Sequence, residues 1–104
     1  MSAKEMFEEL GYKLEINDDK TIMYKRKNDH INYSAWFNLD TKTYTFTFMD
    51  WWDNKNNDWI PMMEREDNLK HCAAYGHWQK VDYPIDKELH KAINKQVEEL
   101  GWNI

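Results

Sequence analysis

The same five-residue pattern occurs near both ends of the chain, as Glu8-Glu9-Leu10-Gly11-Tyr12 and as Glu98-Glu99-Leu100-Gly101-Trp102. Each reads as the last turn of a helix, with glycine at C′ and an aromatic residue at C″. Glycine reaches positive φ there without the steric cost that a Cβ would bring. The aromatic is expected to fold back onto its helix, Tyr12 towards Phe7 and Trp102 towards Val97. Upstream of the first pattern, Ser2-Ala3-Lys4-Glu5 has capping-box spacing, serine at the N-cap and glutamate at N3. Upstream of the second, Pro84 breaks the preceding segment and Asp86 is a good N-cap. Leu89, Ile93, Val97 and Leu100 then recur at helical spacing, with Ala92 beside them. The chain is therefore expected to be bracketed between two helices, complete in itself.

Between the brackets the period changes from helical to alternating. Tyr12, Leu14 and Ile16 alternate with Lys13 and Glu15, and Asn17-Asp18-Asp19-Lys20 reads as a polar turn. Thr21 to Lys27 reads as a second strand, ended by Asn28-Asp29. Ile31, Tyr33, Ala35, Phe37 and Leu39 share one parity and Asn32, Ser34 and Asn38 the other. After a tight turn at Asp40-Thr41-Lys42, Tyr44, Phe46 and Phe48 alternate with Thr43, Thr45 and Thr47. One buried and one solvated face describe an antiparallel meander. Trp36 breaks the rule, a large aromatic on the polar parity. His77 to Tyr83 is expected to return to the sheet as a last strand. The fold expected is α+β: an antiparallel β-meander of four or more strands, a short N-terminal helix, and a C-terminal helix packed on one face. Residues 1–104 form one domain, with 49–80 as an irregular, insert-like segment.

A chain of 104 residues, 41% hydrophobic and 15% aromatic, can build one real core. Its net charge of −5 argues against duplex DNA as a ligand, since phosphate binding needs clustered cations. Lys25-Arg26-Lys27 is the sole compact basic run and is too short for that role. Acidic charge suits a basic partner met by electrostatic steering. Cys72 is the single cysteine, so no intrachain disulfide forms, as expected in a reducing cytoplasm. Met1 to Met6 lacks the apolar core of a signal peptide. No apolar run approaches the roughly 20 residues of a membrane span.

Chemistry-bearing motifs are scarce. His71, Cys72 and His77 are soft ligands, yet their spacing matches no zinc pair, so neither metal nor cofactor is expected. Asp53 to Asp58 has lysine at Lys55 and no glycine, unlike a calcium loop. There is no nucleophile elbow, no phosphate-binding glycine loop and no zinc-protease helix motif. What remains is a run of acids and tryptophans: Asp50-Trp51-Trp52-Asp53, Asp58-Trp59, then Glu64, Glu66 and Asp67. Two readings stand side by side. The tryptophans are a satellite core under a long loop, or they anchor a contact patch whose carboxylates steer a basic partner.

Ala3 to Tyr12, with the strands up to Phe48, resembles the start of small uncharacterised accessory proteins of phages and prophages of Gram-positive bacteria. Ile85 to Trp102 resembles their C-terminal helix more closely. That family carries no established catalytic residues to transfer. The resemblance implies an accessory protein made in the cytoplasm of an infected or lysogenic cell. Small acidic phage proteins of this kind often block host immunity by binding an effector, as anti-CRISPR proteins do. The expectation is thus a non-enzymatic inhibitor whose partner is a host protein, such as a nucleic-acid-binding effector. A hydrolase using paired carboxylates and a phage structural or packaging protein are the alternatives. A homodimer is also expected, because sheet edges and Trp36 offer surfaces for a second copy.

Overall fold

A computed structural model describes residues 1–27, 31–53, 58–60, 76–80 and 84–102. Its elements in chain order are α1 (Ala3–Glu9), β1 (Lys13–Asn17), β2 (Thr21–Lys27), β3 (Ile31–Asn38), β4 (Thr43–Asp53), β5 (Asp58–Ile60), β6 (Gly76–Lys80) and α2 (Lys87–Glu99). Strand order follows the chain, β1-β2-β3-β4-β5, and β6 pairs with β4. The β1–β2, β4–β5 and β4–β6 ladders are antiparallel. The fold is α+β, a meander with a short helix before it and a longer one after it. No described helix is long and apolar enough to cross a membrane. By contacts the chain divides into two compact units. One holds Met1–Arg26, Ser34–Phe46 and Tyr83–Ile104, the other Lys27–Tyr33 and Thr47–Asp82.

In the first unit both helix stops are full Schellman motifs. Gly11 and Gly101 have φ of 92° and 72°. Around them, Tyr12 N–H donates to Phe7 O at 3.0 Å and Gly11 N–H to Glu8 O at 3.0 Å. The second set is Trp102 N–H to Val97 O at 3.2 Å and Gly101 N–H to Glu98 O at 3.0 Å. Tyr12 turns back onto Phe7, ring centroids 5.6 Å apart and edge-on. The Trp102 ring reaches the sheet as well, 6.4 Å from Phe37. At the opposite ends, Ser2 Oγ accepts from Glu5 N–H and Glu5 Oε1 accepts from Ser2 N–H, both at 3.1 Å. Asp86 Oδ1 accepts from Leu89 N–H at 2.9 Å. These caps satisfy donors that a helix start leaves without an internal partner.

Tyr24 of β2 ties the two helices to the sheet. Phe7 of α1 stacks on its ring at 4.0 Å, and Phe37 of β3 meets it edge-on at 6.4 Å. Its hydroxyl donates to Gln96 Oε1 of α2 at 2.6 Å. The stripe that α2 buries is Leu89, Ala92, Ile93, Gln96 and Val97. Gln96 thus occupies a core position that a purely apolar count passes over. The helices also meet directly: Glu99 Oε2 accepts the Ala3 N–H at 2.7 Å, placing a carboxylate at the start of α1. Burial, with the negative charges of Glu99 and Glu8, pushes the Tyr24 hydroxyl up to about 12.

In β1, Leu14 and Ile16 are half-buried between exposed Lys13, Glu15 and Asn17, the expected alternation. Leu14 pairs with Tyr24, whereas Ile16 pairs with Met23, so the register shifts between them. Such a shift sets two residues of one strand against one of its partner. The turns at Asp18 and Asn38 form where polar residues interrupt the alternation. Asp18 Oδ1 accepts from the Lys20 and Thr21 N–H groups at 2.9 and 2.8 Å, which hold its carboxyl below the usual range. Asn38 Oδ1 caps the β3–β4 turn through Asp40 and Thr41 N–H, and Lys42 takes φ 56°. The Asn28-Asp29 turn lies outside the described residues.

This core generates two tests. Tyr24→Phe leaves Gln96 Oε1 buried without its donor and should cost about 1–3 kcal/mol in a denaturant melt. The hydroxyl's raised value means that its contribution is complete below about pH 10 and fades as pH rises towards 12. Wild type should lose stability across that window, and Tyr24→Phe should lose less. Gly101→Ala should cost about 1–2 kcal/mol, because a Cβ there meets no atom within 4 Å and the whole effect is the left-handed backbone. A melt unchanged in Gly101→Ala would remove the capping argument.

Candidate functional site

The tryptophan and acid run falls in the second unit, where its backbone is more regular than its composition suggests. β4 continues beyond Phe48 through Met49, Asp50, Trp51, Trp52 and Asp53. Alternation of Thr with Tyr and Phe starts the strand, and aromatic residues favour its continuation. Phe48 is buried and meets Tyr33 of β3 edge-on, centroids 5.4 Å apart. Strands occupy 49–53, 58–60 and 76–80. His77 to Lys80 does return to the sheet, as expected, within β6.

Pairing brings distant residues into register. In the β4–β5 ladder Trp52 is the Cα partner of Trp59, Trp51 of Ile60 and Asp53 of Asp58. In the β4–β6 ladder Trp51 is the partner of Trp78, Trp52 of His77, Asp50 of Gln79, Asp53 of Gly76 and Met49 of Lys80. Trp51 to Asp53 pair with both strands, and a strand has two edges, so these residues form the middle strand between β5 and β6. Four of the six tryptophans thus lie at adjoining positions of three strands. Trp78 is the residue that sequence reasoning leaves out of the site. Its signal is present in the strand expected at 77–83, but nothing in the spacing joins that strand to the run at 51–59.

The acids divide. Asp50, one of the acids expected at the partner site, is 5% exposed. Asp53 and Asp58 stand opposite each other, a register that is unfavourable for two like charges. Glu64, Glu66 and Asp67 lie outside the described residues, as do His71 and Cys72. His77 is exposed, and its Nε2 lies 3.3 Å from Gln79 Oε1. Among the described residues no group of three His, Cys, Asp or Glu side chains is arranged to hold a metal.

Two surface cavities are lined by described residues of the first unit. One, of about 540 Å³, is lined by Lys4, Glu8, Gly11, Tyr12, Lys13 and Leu14. Its ionisable side chains are two lysines and one glutamate, and Lys4 Nζ lies 3.7 Å from Glu8 Oε1. The other, of about 250 Å³, surrounds Trp36. Neither lining brings two carboxylates together, as a glycosidase-like or protease-like acid pair would require. No protein-family model, curated protein or solved structure gave a significant match to the chain.

The register generates a stability test. Asp58→Asn removes one member of the Asp53–Asp58 opposition and should stabilise the protein by roughly 0.2–1 kcal/mol in low salt, with the gain shrinking as salt rises. A loss of stability would mean that the Asp58 carboxylate has a favourable partner.

Proposed function

We propose that the protein is a small acidic binding protein that inhibits a host defence complex, acting by protein–protein contact in the manner of an anti-CRISPR protein. The reading is supported chiefly by the β4–β5–β6 register, which pairs Trp52 with Trp59 and, one position along and so of opposite parity, Trp51 with Trp78. Tryptophan is enriched among interface hot spots because a single ring covers much area at small entropic cost. The Asp53–Asp58 opposition adds to the support. Like charges at that register would cost the free protein stability, and a basic partner would turn that cost into attraction. A net charge of −5 suits a partner that ordinarily holds nucleic acid, since an acidic surface presents charge of the same sign as phosphate. The ends of the chain supply the biological setting through their resemblance to phage accessory proteins.

The test is affinity capture from the Gram-positive host, followed by single tryptophan variants against the captured protein. Trp52→Ala and Trp59→Ala should each weaken binding by about 2 kcal/mol or more, and Trp51→Ala and Trp78→Ala should identify the second pair's share. Melting temperature is measured on the same samples. If affinity falls only as far as stability falls, these tryptophans are core and the reading fails. Turnover of a metabolite by the pure protein, without any captured host protein, would favour the hydrolase instead.

A further inference from the structure

Trp36 stands on the face of the first unit that the helices do not cover. Its neighbours Ala35 and Phe37 are 1% exposed, and Phe37 contacts Tyr24, whereas Trp36 is 39% exposed. Alternate residues of a strand address opposite faces, so Trp36 lies away from the Tyr24 core. Around it is the cavity of about 250 Å³, lined by Thr21, Trp36, Phe37, Asn38, Thr43 and Thr45. In a chain that is 32% charged, this lining contains no ionisable group.

We propose that this cavity binds a neutral saccharide, with the Trp36 indole stacked on the carbon–hydrogen face of one sugar ring. Three observations narrow the occupant. The lining has no cation to hold a phosphate or carboxylate and no anion to hold an amine, which excludes charged small ligands. Thr21, Asn38 and Thr45, which carry hydroxyl and amide groups, line the cavity together with the exposed Trp36, a combination that suits a ligand that alternates hydroxyls with an apolar face. The Asn38 carbonyl and the Thr43 hydroxyl are already engaged, by the Asp40 and Thr41 N–H groups and by Thr41 Oγ1 at 2.6 Å. The Asn38 amide nitrogen and the Thr21 and Thr45 hydroxyls are left to meet the sugar. Size then decides between a small ligand and a second copy of the chain. Three strands over about five residues cover on the order of 250 Å². A stable dimer needs roughly 800 Å² from each partner. The proposal does not rest on the inhibitor reading, whose residues belong to the other unit.

The experiment is a nuclear magnetic resonance titration of the full chain with a panel of neutral mono- to tetrasaccharides of the gluco, galacto, manno and N-acetylhexosamine series. Saturable shifts are expected at the Trp36 indole N–H and at the amides of Thr21, Asn38, Thr43 and Thr45, with a Kd on the order of 1 mM for the best member. Trp36→Ala should weaken binding at least tenfold, a loss of about 1.4 kcal/mol. Thr45→Val keeps a branched strand residue and removes one hydroxyl, so it should weaken binding several-fold at an unchanged melting temperature. No shift at these positions with any panel member, at about ten times that concentration, overturns the proposal. So do equal affinities in wild type and Thr45→Val together with Trp36→Ala. The same shifts on raising protein concentration alone, with a doubled mass by light scattering, would instead assign the face to a second copy.

Discussion

The ring and hydroxyl of Tyr24 are engaged by different helices, and this double use sets the helix-bearing unit. Phe7 stacks on its face at 4.0 Å, which fixes the short α1 against β2. Gln96 accepts its proton at 2.6 Å, which fixes the rotation of α2 about its own axis. A seven-residue helix has little stability of its own. It persists because a capping box starts it, a Schellman motif stops it, and Phe7 enters an aromatic cluster with Tyr12, Tyr24 and Phe37. Glu99 closes the arrangement by accepting the Ala3 N–H, so α2 helps to cap the start of α1.

Helix ends and strand parity were legible in the chain because both are written in local spacing. Gly11, Gly101, Ser2 and Asp86 act through neighbours no more than a few residues away, and each stands where spacing put it. Gln96 was not legible, since its partner is 72 residues distant and its polarity hides its core position. The register shift in β1 was hidden too: Glu15 looks like any polar residue in an alternating run, and only the pairing of Ile16 with Met23 reveals it. The same limit explains the acid and tryptophan run. A composition rich in Trp and Asp has no clean period, yet backbone pairing makes strands of 49–53 and 58–60 and brings in Trp78 from β6.

These differences sort the aromatics by task. Phe7, Tyr12, Tyr24, Phe37 and Trp102 are engaged with one another around the helices, where edge-on and stacked contacts contribute roughly 0.5–1.5 kcal/mol each beyond simple burial. Trp36 is not needed for that core and stays 39% exposed. Trp51, Trp52, Trp59 and Trp78 belong to a different unit and lie within a three-strand register. A short β5 of three residues supports that register only modestly by its own hydrogen bonds.

Amide hydrogen exchange on the free chain and on the chain captured with the proposed host partner tests the proposed function most directly. The account predicts partner-dependent protection at 49–53, 58–60 and 76–80, with the amides around Tyr24 and Gln96 exchanging as before. Protection confined to α1, α2 or β1, with the β4–β5–β6 amides unchanged, would contradict it.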